Sequence, residues 1–174
     1  MLTILQNTPL RVYLIFLVVV YFGIKSFSPR RESRASMLIT PPAFLAWSLY
    51  SLNLSINPAL FFSTWFGALL LGGLSAWLVF SRRGVVLDDS ATGLIMPGTA
   101  KILIMYLMFF SANYYFNYQH DVHPERFASP DLLLLKSIIS GFLCGLISTR
   151  SLKLYWTLRA LASGRLPRNV VANE

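Results

Sequence analysis

Charge, acid and cysteine are scarce in this sequence, and each scarcity excludes something. Charged residues make up 13% of the 174, against roughly 25% in soluble domains. That leaves too little polar surface to coat a water-soluble globule. Cys144 is the single cysteine, so no internal disulfide can form, and it carries no information about compartment. The chain has 7 acids, and none lies in the body of an apolar run. The intramembrane acid or histidine on which proton-coupled transport ordinarily depends is therefore missing. No Ser/His/Asp set occupies mutually reachable apolar positions. No Gly-rich phosphate loop follows a strand either, since Gly72-Gly73 falls in mid-helix. No catalytic residue is assigned, and no cofactor is expected. Residues 1–8 contain no Lys or Arg, and 22–25 makes a poor cleavage site. The first apolar run is thus expected to stay as an anchor rather than leave as a signal peptide. Leu2 excludes a myristoylation box.

What the chain has in quantity is apolar sequence, 55% of its residues. Five segments stand out, at about 9–24, 37–54, 58–80, 97–118 and 131–149. Crossing the hydrocarbon core takes roughly 20 helical residues. Thr8-Pro9, Thr40-Pro41, Asn57-Pro58 and Ser129-Pro130 each set a side-chain acceptor before a proline, the pattern of an N-cap and first helical residue. Pro97 keeps the proline without the cap, and Asp131 complements the dipole of the last helix. A second segment beginning at Pro41 is short, and one beginning at Met37 is kinked by Pro41 and Pro42.

The fold class predicted is all-α, an integral membrane bundle of five transmembrane helices over 1–163, with a cytoplasmic tail at 164–174. Residues 150–163 are expected to form an interfacial amphipathic extension of the fifth helix. The loop 84–97 between the third and fourth helices carries two short β-prone runs around a turn-rich centre. A small hairpin and an irregular loop both remain open there.

Orientation follows from the basic residues. Lys25, Arg30, Arg31, Arg34, Arg82, Arg83, Lys101, Arg150, Lys153, Arg159, Arg165 and Arg168 fall on one side, 12 of the 15; Arg11, Arg126 and Lys136 fall on the other. The positive-inside rule then predicts an outside N-terminus and a cytoplasmic C-terminus, as an odd number of spans requires. The net charge of +8 is explained by topology, so nucleic acid is not expected as a partner. The lipid bilayer, with anionic lipids at its cytoplasmic face, is.

Three constellations could carry function. Ser137, Gly141, Gly145 and Thr149 recur every four residues, beside Ser140, Cys144 and Ser148, and Ala68, Gly72 and Ala76 repeat the spacing in the third segment. Such columns let helix backbones approach closely, either within the bundle or in a homo-oligomer or partner-subunit contact. Lys136, Arg11, Asn113 and Asn117 lie near the outer surface, with both cations on the side where positive charge is disfavoured. If they converge they make an outward-facing anion or headgroup site; otherwise the long stems snorkel. His120 and His123 have metal-ligand chemistry, but their spacing of three, a neighbouring proline and the lack of a fourth ligand favour a solvated polar turn.

The run from Thr92 to Pro97-Gly98-Thr99 before an apolar helix ending in tyrosines is distinctive. So are 141–145 with its Gly-x-x-x-Gly, 150–156, the opening Leu5-Gln6-Asn7-Thr8-Pro9, and Pro29-Arg30-Arg31. Together these resemble a family of small bacterial inner-membrane proteins of unknown function. The resemblance implies about five helices in the bacterial cytoplasmic membrane and no catalytic residues. The functional expectation is a non-catalytic protein acting through helix contacts, as an oligomer or an accessory subunit of a membrane complex. The alternative is a small transporter or lipid- or anion-binding protein using Arg11, Lys136, Asn113 and Asn117. A metal- or haem-binding membrane enzyme using His120 and His123 comes third.

Overall fold

The computed structural model describes residues 17, 20, 21, 24, 25, 27–50, 52, 57–80, 85–88, 93–127 and 129–164. In chain order these form strand β1 (Arg30–Ser33), helix α1 (Arg34–Tyr50), helix α2 (Pro58–Val79), strands β2 (Val86–Leu87) and β3 (Gly93–Met96), helix α3 (Ala100–Val122), the one-turn helix α4 (Pro124–Phe127) and helix α5 (Pro130–Ala162).

Local chemistry sets most of the boundaries. Asn57 caps α2, its side-chain oxygen accepting from the Leu60 N–H at 3.2 Å, with Pro58 as the first helical residue. Helix α1 begins upstream of its prolines, where the Ser36 N–H donates to Ser33 Oγ at 3.2 Å. It runs on through Pro41 and Pro42 from Arg34, so the prolines lie inside the helix, which begins three residues before the Met37 start and seven before the Pro41 start. Thr40 is no cap; its hydroxyl donates to the Ser36 carbonyl at 2.6 Å. Helix α3 starts three residues after Pro97, because Gly93–Met96 is committed to strand. Helix α5 runs unbroken through 33 residues and stops at Gly164, whose φ of 68° is the left-handed turn that glycine adopts without penalty.

The five-span bundle is overturned. Among the described residues only α2, with 22 residues, and α5, with 33, are long and apolar enough to cross a membrane. Helix α1 has 17 residues, two of them prolines, about 26 Å at 1.5 Å per residue against a core of about 30 Å. Helix α3 has the length, but Ser111, Asn113, Asn117, Gln119, His120 and Asp121 dilute its second half. Most of the expected first span, 9–24, lies outside the described residues, as do 165–174 of the expected tail. The helical class stands, with a small sheet added.

That sheet is three-stranded and antiparallel, in the order β1-β3-β2. The pairing of Val86 with Ile95 makes the hairpin of the 84–97 loop, and β1 is an addition no apolar pattern announces. Arg30–Ser33 has no β-prone residue; it is held by side-chain charge as well as by its ladder. Glu32 Oε1 accepts from Arg150 Nη2 at 3.2 Å, with both side chains buried, and Arg31 pairs with Asp88 at 2.7 Å. Met37, Val85, Leu94 and Met96 pack against Leu158 and Leu161 of α5. The 150–163 stretch is continuous with α5 and packs on protein. One face covers the sheet, while Leu152, Trp156 and Arg159 face outward.

Helix α5 is the spine. Its first small-residue column meets α2, where Gly141, Gly145 and Gly72 sit against the backbone carbonyls of Trp65, Leu69 and Phe142 respectively, with no room for a Cβ. Its second column turns to α1, where Ser140 bonds Ser48.

Two outcomes check this packing. Gly145→Ala should gain about 1 kcal/mol from helix propensity, yet the Cβ meets backbone, so overpacking of about 1–3 kcal/mol should win. Gly67→Ala, with nothing within 4 Å, should be neutral or stabilising. Thermal unfolding followed by circular dichroism should place Gly67→Ala level with or above wild type and Gly145→Ala below it; Gly145→Ala above wild type would refute the close approach. For the buried ion pair, Arg150→Met alone should cost about 3–5 kcal/mol by stranding Glu32, and adding Glu32→Leu should recover much of that. A double-mutant cycle with no coupling would contradict the pairing.

Candidate functional site

Helix α3 makes little contact with α5. It is held to α1 by an edge-on ring pair, Phe44 with Phe109, at 5.6 Å between centroids and 71° between planes. The gap left between α1, α3 and α5 is a groove of about 510 Å³. Helical spacing decides what lines it. Asn113, Phe116, Asn117 and His120 fall on one face of α3 at intervals of three and four residues, and Lys136, Ser140 and Leu143 do the same on α5. Because the end of α3 meets the start of α5, the amides and His120 share one end of the groove with Lys136. Phe44, Trp47, Phe109 and Phe116 give the walls their aromatic character.

The floor is a polar clasp joining three helices. The Trp65 indole N–H of α2 donates to Ser48 Oγ of α1 at 2.8 Å, and Ser48 Oγ and Ser140 Oγ of α5 lie 2.7 Å apart. Since Ser48 accepts from the indole, its own proton is available to Ser140. Hydrogen bonds of this kind fix helices in register where water is scarce. The Asn113 amide nitrogen donates to the Phe109 carbonyl of its own helix at 2.9 Å.

Of the residues singled out in the sequence, Asn113, Asn117 and Lys136 come together here; Arg11 lies outside the described residues. Ala68, Gly72, Ala76, Gly141 and Gly145 are buried where α2 and α5 meet. Ser137 is buried too, donating to the Leu133 carbonyl at 2.9 Å. These columns are occupied within the chain. His120 is helical rather than part of a turn, with Nδ1 3.1 Å from Asp121 Oδ1, and His123 is the exposed C-cap of α3. Among the described residues no group of three His, Cys, Asp or Glu stands together to hold a metal ion. The clasp and the aromatic walls went unread in the sequence. The spacing of Phe44 and Trp47 was a weak signal for the walls; nothing signalled that Ser48 would meet Trp65.

The groove offers one cation, amides and aromatic walls, which are the means of holding an amphiphile rather than of breaking a bond. No family model, no curated protein and no solved structure matches the chain.

The clasp makes an asymmetric expectation. Ser48→Ala removes the acceptor of a buried indole N–H and should cost about 1–3 kcal/mol. Ser140→Ala should cost less, since the Ser140 carbonyl still lies 3.4 Å from Ser48 Oγ. Unfolding midpoints in the opposite order would contradict this hydrogen-bond assignment.

Proposed function

We propose that this chain is a non-catalytic membrane protein that binds an amphiphile with an anionic head in the groove between α1, α3 and α5. The observation that carries the reading is the gathering of Lys136 with Asn113 and Asn117 at one end of an aromatic-walled groove. A head takes charge and hydrogen bonds from that end, and the apolar body lies along Phe44, Phe109 and Phe116.

Support for the membrane comes from the outer surface. Only 28% of the most apolar 18 residues of α2 are buried. Phe62, Phe66, Leu70, Leu74 and Leu78 form an i, i+4 stripe, each between 48% and 75% exposed. Water would not leave such a stripe bare, whereas lipid covers it. Trp47 and Tyr50 are exposed toward one end and Trp77 and Trp156 toward the other, in keeping with two interfacial aromatic belts. Lys101, Arg150, Lys153 and Arg159 gather at the sheet end, and Asp121, Glu125 and Asp131 at the other. This asymmetry favours an orientation with the sheet end and the end of α5 on the cytoplasmic side. With five spans overturned, an odd count no longer argues for an outside N-terminus. The resemblance to small bacterial inner-membrane proteins belongs to the same proposal. Oligomer or accessory-subunit function through small-residue columns has less support, because α2 and α5 use those columns on each other.

Brominated oleate, titrated against the purified chain in neutral detergent, provides the test. It should quench the Trp47 fluorescence in a saturable way, and Trp47→Phe should remove that component. Lys136→Leu should weaken binding about tenfold or more, the size expected for a lost hydrogen bond to a charged group. Equal binding by wild type and Lys136→Leu would sink the reading.

A further inference from the structure

The clasp at the floor of the Lys136 groove has a direction. The Trp65 indole can only donate, and it gives its proton to Ser48 Oγ at 2.8 Å. Ser48 Oγ passes its own proton to Ser140 Oγ at 2.7 Å. The chain of donors thus ends on Ser140, whose hydroxyl still has one proton to give. Among the described residues Ser48 is the only partner of that hydroxyl. Trp65 and Ser48 are buried, whereas Ser140 is half-buried and lines the groove. The last donor of the chain is therefore presented to whatever fills the space. Bonds upstream polarise it, and an O–H left without an acceptor away from water is costly.

Position decides where on the ligand the acceptor lies. Ser140 follows Lys136 by one turn of α5, about 6 Å along the axis at 1.5 Å per residue. With the head at Lys136, the acceptor sits just behind it, where the apolar body begins. About five bonds of an extended chain cover that distance, at about 1.2 Å of advance per bond. A phosphate and an acyl ester on one glycerol backbone are separated by a similar span. A plain fatty acid has only methylenes there.

Volume decides the number of chains. A cavity of about 150 Å³ takes one benzene ring, roughly 25 Å³ per carbon. At that ratio the groove of about 510 Å³ holds roughly 20 non-hydrogen atoms. One acyl chain with its ester fits, and two chains do not.

We propose that the ligand of this groove is an acidic monoacyl glycerolipid whose ester carbonyl accepts from Ser140. Its phosphate lies at Lys136, Asn113 and Asn117, and its single chain runs along the aromatic wall. The proposal rests on the amphiphile reading above and narrows it. Oleate separates the two, because it has a head and a chain but no ester.

The test is calorimetric titration of the purified full chain in neutral detergent. The probes are oleate, myristoyl lysophosphatidylglycerol, its alkyl-ether analogue, which lacks the carbonyl oxygen, and dimyristoyl phosphatidylglycerol. The ester should bind about fivefold more tightly than the ether, the size of one neutral hydrogen bond, and the two-chain lipid more weakly than either. In Ser140→Ala the ester should fall to the level of the ether, while the ether and oleate keep their affinities. Ser140→Thr, which keeps the hydroxyl, should restore the difference. The comparison of ester with ether needs no variant, so it decides the matter even if Ser140→Ala fails to fold. Oleate binding together with equal affinities for ester and ether would overturn this inference and leave the amphiphile reading standing. No binding of any probe would overturn both. Two-chain lipid binding as tightly as the monoacyl ester would also overturn the proposal.

Discussion

Helix α2 touches α5 backbone to backbone, and this contact requires that neither helix carry a side chain where they cross. Gly72 lies on the Phe142 carbonyl, Gly145 on that of Leu69 and Gly141 on that of Trp65. Close approach lets many weak dispersion contacts add up over the length of the crossing. It also fixes what the other side of α2 must be. With its small residues turned inward, the stripe of Phe62, Phe66, Leu70, Leu74 and Leu78 is left facing out. One helix thus has a tight protein face and an apolar face that no part of the described chain covers.

The rest of the architecture follows from α5 being the longer partner. Its 33 residues outrun the 22 of α2. The overhang, with Leu158 and Leu161, packs on the small sheet, and Arg150 anchors β1 through Glu32. On the flank facing away from α2, serines replace glycines. The contact with α1 is therefore polar and directional, through Ser48 and Ser140. Helix α3, joined to the others by a ring pair and by Lys101, stands off and leaves room at both ends. The groove at Lys136 and a second cavity, lined in part by Lys101 and Lys153, are two consequences of that single displacement.

Legibility in the sequence tracked how local each determinant is. The Asn57-Pro58 start and the small columns could be read because caps and four-residue spacing are properties of neighbouring residues. The convergence of Asn113, Asn117 and Lys136 was accessible as a conditional, since hydropathy placed all three toward one end. Strand β1 was not legible: Arg30–Ser33 owes its conformation to partners 60 to 66 positions away, at Gly93–Met96, and to Arg150. Five spans do not form because the polar residues of 111–121 dilute the second half of α3, and α1 ends after 17 residues. The loop cations Arg31 and Arg150 were read as topology signals, and both also hold internal ion pairs.

The account stands on the bare face of α2 being covered by lipid. Nitroxide labels at Phe66, Leu70 and Leu74, introduced one at a time as cysteines in a Cys144→Ser background and reconstituted in bilayers, measure this directly. Each label should collide with dissolved oxygen far more often than with a water-soluble nickel chelate, and the ratio should be greatest at Leu70, midway along the helix. Chelate collisions outnumbering oxygen collisions at all three positions would show the face in water and contradict the account.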